Sequence, residues 1–159
     1  MQTRPRRYSI LAAFLAACLA VSAAGGAVTQ TSVNDWYQTL DKPALTPPDW
    51  LFAPTWIALY VMMAVAAWRV WLGATGRERR HAMTVFAVQL LLNFAWSLLF
   101  FGARAPGWAM IELAVLWLAI ALTTVLFWGI ERFAGLLLVP YLLWVTFAGY
   151  LNASIFLLN

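Results

Sequence analysis

Hydrophobic residues along this chain cluster into five stretches, Tyr8–Val28, Leu51–Leu72, Met83–Gly102, Trp108–Trp128 and Phe133–Leu158. Each is close to the roughly 20 residues that a helix needs to cross a bilayer. The positions between them carry turn chemistry. Gly73 and Gly76 with Arg77, Glu78, Arg79 and Arg80 close the second stretch, Ala105-Pro106-Gly107 separates the third from the fourth, and Gly129 with Glu131-Arg132 parts the last two. These breaks are short, so the pattern predicts antiparallel neighbours in an all-α bundle of five transmembrane helices, a single membrane domain over residues 1–159. One connection differs. Residues 29–50 are polar and hold Pro43, Pro47 and Pro48, and a loop of that length in a compact protein is usually functional or disordered.

The first stretch admits two readings. Arg4, Arg6 and Arg7 ahead of an apolar run resemble a secretory signal, with cleavage after Ala23 or within Leu15-Ala16-Ala17-Cys18. The run continues to Val28, however, and Ala12, Ala16, Ala20 and Ala24 repeat every fourth residue, a small-residue face suited to close helix packing. A retained span is the expectation.

Composition sharpens this picture. Of the 159 residues 64% are hydrophobic and 10% charged, against roughly 25% charged in a soluble domain. One small core cannot hide that much apolar surface, so the lipid bilayer has to act as solvent. The net charge of +4 does not indicate nucleic acid, because the charges sit between apolar runs and form no basic stripe. They are asymmetric instead. Arg4, Arg6, Arg7, Arg69, Arg77, Arg79, Arg80 and Arg132 share one side of the bundle, while Lys42 and Arg104 alone lie on the other. For an inner membrane of a bacterial envelope, the positive-inside rule places the N-terminus in the cytoplasm and the long loop outside. Cys18 is the single cysteine and His81 the single histidine, which excludes an internal disulfide and a multi-cysteine zinc site.

Ten tryptophans stand out. Trp50, Trp68, Trp71, Trp108 and Trp128 fall at span ends, where interfacial aromatics belong, and Trp36 lies in the long loop. Trp56, Trp96, Trp117 and Trp144 sit inside spans, and for Trp117 packing toward lipid is sufficient. The other three keep polar company. Gln89, Asn93, Trp96 and Phe100 share one helical face of the third span, Tyr141, Trp144, Ala148 and Asn152 one face of the fifth, and Trp56, Tyr60 and Met63 one face of the second. A buried amide such as Asn93 or Asn152 is costly in hydrocarbon, so these faces should turn inward; each Asn is equally readable as an interhelical tie. At 1.5 Å per residue, Trp56, Trp96 and Ala148 lie roughly 8, 9 and 13–15 Å below the loop end. Aromatic walls beneath a lid predict a ligand pocket, and indole faces stack well on a planar conjugated ring.

Three blocks resemble the translocator protein family, also known as tryptophan-rich sensory proteins (TspO/MBR, peripheral benzodiazepine receptor). They are Trp36-Tyr37 … Leu40-Asp41-Lys42-Pro43 … Pro47-Pro48-Asp49-Trp50 … Trp56 … Tyr60, then Leu92-Asn93-Phe94-Ala95-Trp96-Ser97 … Phe100-Phe101-Gly102, then Val139-Pro140-Tyr141 … Trp144 … Phe147-Ala148 … Asn152. The resemblance implies a five-helix bundle, often a homodimer, that binds porphyrins and related tetrapyrroles below its first loop. Carried over to this chain it implies a ligand site of Tyr37, Trp56, Asn93, Trp96, Phe100, Trp144, Phe147 and Ala148. It also implies protoporphyrin IX or haem as ligand, no required cofactor, and no metal. Ala44-Leu45 follow the Lys-Pro pair where relatives carry an aromatic, which predicts a looser lid. No Lys or Arg follows Arg132, so the weak cholesterol motif is missing and cholesterol is unsupported as a partner.

The expected function is thus a membrane receptor or sensor for tetrapyrroles. Light-dependent porphyrin breakdown through Trp56 and Trp144, and transport, are the alternatives. The resemblance implicates those two tryptophans, but no acid–base pair supports ordinary catalysis; Glu112 reads as an interfacial carboxylate near a helix N-terminus. Axial haem ligation is not expected of His81, at the opposite membrane face, or of Cys18. Alternating-access carriers usually show internal repeats, and none is visible in these spans.

Overall fold

The computed structural model describes residues 4–159, with side chains from Arg6 onward. Residues 1–3 of the expected domain and the side chain of Arg4 lie outside the described residues. Six helices follow: α1 Arg4–Gln30, a short α2 Trp36–Thr39, α3 Asp49–Gly73, α4 Gly76–Ser97 with a π-helical turn Leu98–Gly102, α5 Pro106–Ile130 and α6 Arg132–Leu158. No strand occurs among the described residues. Five of these helices are long and apolar enough to cross a membrane. The protein is a multi-pass, all-α integral membrane protein.

Helix boundaries outrun the apolar stretches. α4 begins at Gly76, so Arg77, Glu78, Arg79, Arg80 and His81 form its first turns and do not belong to the break before it. Hydropathy marks where hydrocarbon ends, whereas a helix can continue into the headgroup layer. Arg79 reaches back to the Ala74 carbonyl (Nε to O 2.8 Å) and lies 5.0 Å over the Trp71 ring, which gives the charge partners at that level. Gly76, at φ +53°, supplies the left-handed residue that the tight turn requires. The 29–50 segment is likewise not a plain loop, since α2 is capped by Asp35 and buries Tyr37.

Neighbouring helices pack in a ring, α1–α3–α6–α5–α4 and back to α1. The chain passes directly from α3 to α4, yet these two are not ring neighbours; α1 lies between them on one side, α6 and α5 on the other. On α3, Met63, Ala64, Ala66, Ala67 and Val70 are fully buried, and the small residues let helices approach closely. Gly135 serves α5–α6 in the same way, because a Cβ there would stand 2.8 Å from the Trp128 Cα.

The alanine face expected to pack α1 points outward: Ala12, Ala16, Ala20 and Ala24 are all exposed. Instead α1 packs through Phe14, Cys18, Val21 and Gly25. Phe14 sets its ring against Trp71 and Phe86, burying far more apolar area than methyl groups could. Glu112 also departs from its interfacial reading. It shares the buried face of α5 with Ala109, Leu113 and Leu116, and both carboxyl oxygens are buried without a hydrogen-bond partner in the described structure. Trp50 and Trp108 are 72% and 69% exposed, as interfacial residues should be, and Trp117 is half-exposed with its N–H on Thr146.

Candidate ligand site

A cavity of about 390 Å³ opens at the loop end of the bundle, between α3 and α4, with α1 and α6 closing its sides. Its floor is a polar knot. Tyr60 Oη donates to Asn93 Oδ1, Asn93 Nδ2 donates to Tyr141 Oη at 2.8 Å, and Tyr141 donates to Gln89 Oε1 at 2.9 Å. Gln89 Nε2 then reaches Met63 Sδ at 3.7 Å. Three helices therefore satisfy one another's polar groups where water is absent.

Two aromatic walls rise from this floor. On one side the Trp56 ring lies 6.4 Å from that of Trp144 at 90°, and Phe52 sits 5.9 Å from Trp144. On the other, Trp96 stacks on Phe100 at 5.2 Å and 24°, and Tyr37 comes down from α2 to within 6.4 Å of Phe100 and 5.7 Å of Phe101. The π-helical turn explains how adjacent Phe100 and Phe101 both reach the cavity: Ala103 N donates to Leu98 O at 2.7 Å, an i→i+5 bond that widens the helix there.

The lid is latched at four points. Ser32 Oγ donates to the Phe101 carbonyl at 2.7 Å, and Arg104 pairs with Asp35 at 3.3 Å. Gln38 Nε2 donates to Asp49 Oδ2 at 2.9 Å, and Asp41 exchanges two 3.0 Å hydrogen bonds with Asn159. Lys42 Nζ stands 4.6 Å over the Tyr37 ring. Burial, reinforced by the Asp49 charge, pushes the Tyr37 phenol up to about 12, so it stays a neutral hydrogen-bond donor.

Of the residues singled out in the sequence, Tyr37, Trp56, Asn93, Trp96, Phe100, Trp144 and Ala148 line the cavity, and Phe147 does not. Phe147 lies on the next turn of α6, between Trp144 at 5.8 Å and Tyr150 at 6.2 Å. Asn93 and Asn152 act as interhelical ties: Trp96 Nε1 donates to Asn152 Oδ1 at 3.0 Å, and Asn152 Nδ2 donates to the Pro106 carbonyl at 2.8 Å. Sequence reasoning missed the α1 wall of Ser22, Gly25 and Thr29, and Asp49 and Phe52 at the mouth. Gly25-Gly26 inside a span was the available signal, because paired glycines mark a place where something approaches the backbone. Ala44 and Leu45 are exposed and line nothing.

A family model described as the TspO/MBR family matches residues 14–158. This chain belongs to that family. TspO/MBR relatives cover nearly its whole length. It is 44% identical over 152 residues to a tryptophan-rich protein TspO of Chlorobaculum tepidum, with 94% of this chain and 95% of the relative covered. It is 37% identical over 152 residues to a tryptophan-rich sensory protein of Cereibacter sphaeroides, with 96% and 92% covered. The human translocator protein is 40% identical over 119 residues, covering 74% of this chain and 70% of the relative. The blocks compared in the sequence thus belong to a TspO/MBR membrane protein throughout, and the cavity is built from all three.

Proposed function

We propose that this TspO/MBR protein is a membrane receptor that takes a planar tetrapyrrole, such as protoporphyrin IX, between its two aromatic walls. The carrying observation is the arrangement of Trp56, Phe52 and Trp144 opposite Trp96, Phe100 and Tyr37 around a cavity under a latched lid. The floor is polar but internally satisfied, so it offers an apolar-faced guest no unpaired partner to desolvate. Affinity then comes from apolar burial and from stacking, which adds about 0.5–1.5 kcal/mol per aromatic pair. A sensing role accords with the name carried by the Cereibacter relative.

Titration of the purified protein with protoporphyrin IX tests this. Tryptophan emission should be quenched to saturation, with weaker binding in Trp144→Phe and Trp56→Phe. Unquenched emission at saturating porphyrin would overturn the proposal. Illuminating the complex and following porphyrin absorbance tells a receptor, which leaves the ring intact, from a light-dependent degrading activity.

A further inference from the structure

We infer that Asp49 makes the cavity selective at its mouth, favouring tetrapyrroles with a neutral or cationic edge over those presenting carboxylates there. The inference rests on the ligand reading above and adds to it the chemistry of the preferred guest.

Charge along the cavity wall is the starting point. Among the described residues that line it, Asp49 alone is ionisable to a charge at neutral pH, and it is an acid. No lysine, arginine or histidine lines the wall. Asp49 is the first residue of α3 and its side chain is exposed at the rim. Its field reaches inward, since it contributes to raising the phenol of Tyr37. The deeper polar groups cannot compensate an anion. Asn93 has its amide shared between Tyr60 and Tyr141, the Trp96 N–H is held by Asn152, and the Thr29 hydroxyl donates to Gly25 O at 2.9 Å.

A disc inserted between the aromatic walls must present one edge to the mouth. Carboxylates on that edge meet Asp49. Two features moderate the repulsion: the positive N-terminal end of α3, which Asp49 itself occupies, and Lys42. The Lys42 ammonium is spent on the Tyr37 ring and on the Leu40 carbonyl at 3.5 Å, and it does not line the wall. Arg104 is paired with Asp35. The rim therefore remains unfavourable to anions, by an amount set by one solvent-exposed charge.

The test uses two probes, protoporphyrin IX as the free dicarboxylic acid and its dimethyl ester, titrated into the full chain in one detergent at low salt. The reading is the ratio of their dissociation constants, compared between variants so that detergent partitioning cancels. Asp49→Asn keeps the acceptor for Gln38 and should shift this ratio toward the free acid by roughly two- to fivefold, the range of an exposed charge pair. Lys42→Gln should shift it the other way. The same ratio in wild type and Asp49→Asn overturns the assignment and leaves the pocket standing. An equal loss of both probes in Asp49→Asn also overturns it, marking Asp49 as a lid support only. If neither probe quenches any variant, the ligand reading itself falls.

Discussion

The indole N–H of Trp96 donates to Asn152 Oδ1 at 3.0 Å, and the Asn152 amide donates in turn to the Pro106 carbonyl at 2.8 Å. One asparagine thus pins an aromatic wall of the cavity to two neighbouring helices. Asn152→Leu removes both bonds and leaves the indole N–H and a carbonyl unpaired within the bundle, at about 1–3 kcal/mol each. Thermal denaturation should show a lower melting temperature and porphyrin titration a weaker complex. If neither changes, packing alone holds the ring.

Asn93 separates scaffold from site. Its amide is consumed by Tyr60 and Tyr141, so Asn93→Leu strands two phenols in the interior and should destabilise the protein by about 1–3 kcal/mol for each group left unpaired. Ligand affinity should change less than in Trp144→Phe. A large loss of porphyrin binding at unchanged stability would assign Asn93 to the ligand instead.

The Arg104–Asp35 pair spans 3.3 Å and both side chains are about half exposed or more. Such a pair contributes at most about 1 kcal/mol to stability, but it ties the lid to the start of the α4–α5 turn. Arg104→Ala should accelerate porphyrin association and dissociation in stopped-flow quenching with little change in melting temperature. Raising the salt concentration should accelerate wild type and leave the variant unmoved.

At the other end of the bundle Glu131 caps α6 through Phe133 N and Ala134 N and pairs with Arg69 at 2.6 Å. The hydrogen bond from Arg69 holds its carboxyl below the ordinary 4.5 against a smaller opposing effect of desolvation, and the cap bonds and the Arg69 charge add to the lowering. A carboxyl lowered in the folded state stabilises that state above 4.5 and loses the contribution as pH falls through the folded value. Melting temperature should therefore fall in acid below about 4.5, and fall less in Glu131→Gln. The pair is partly exposed, so the effect should be modest and shrink in salt. Equal acid sensitivity in both proteins would remove Glu131 from the account.

The spans and most of the cavity wall were legible because burial leaves a periodic trace. Gln89, Asn93, Trp96 and Phe100 had to share a face whatever the neighbouring helices did. The ring order of the helices was not legible, since short connections say which helices are joined and not which ones touch. The α1 wall failed for a related reason. Alanine repeats look like a packing face, but in lipid every face is apolar, and only the larger contact made by Phe14 and the notch at Gly25 decide which side turns inward. The latches of the lid join residues up to 118 positions apart, and no local pattern reports such pairs.

The widened turn at Leu98–Gly102 constrains how this protein can change. It accommodates a surplus residue by bulging, so that Phe100 and Phe101 reach the cavity while Arg104 still meets the lid. Deleting one position there would restore ordinary helical geometry and rotate everything downstream by about 100°, carrying α5 out of register with both its partners. Side chains in this segment can be exchanged one at a time, but its length has to be inherited unaltered.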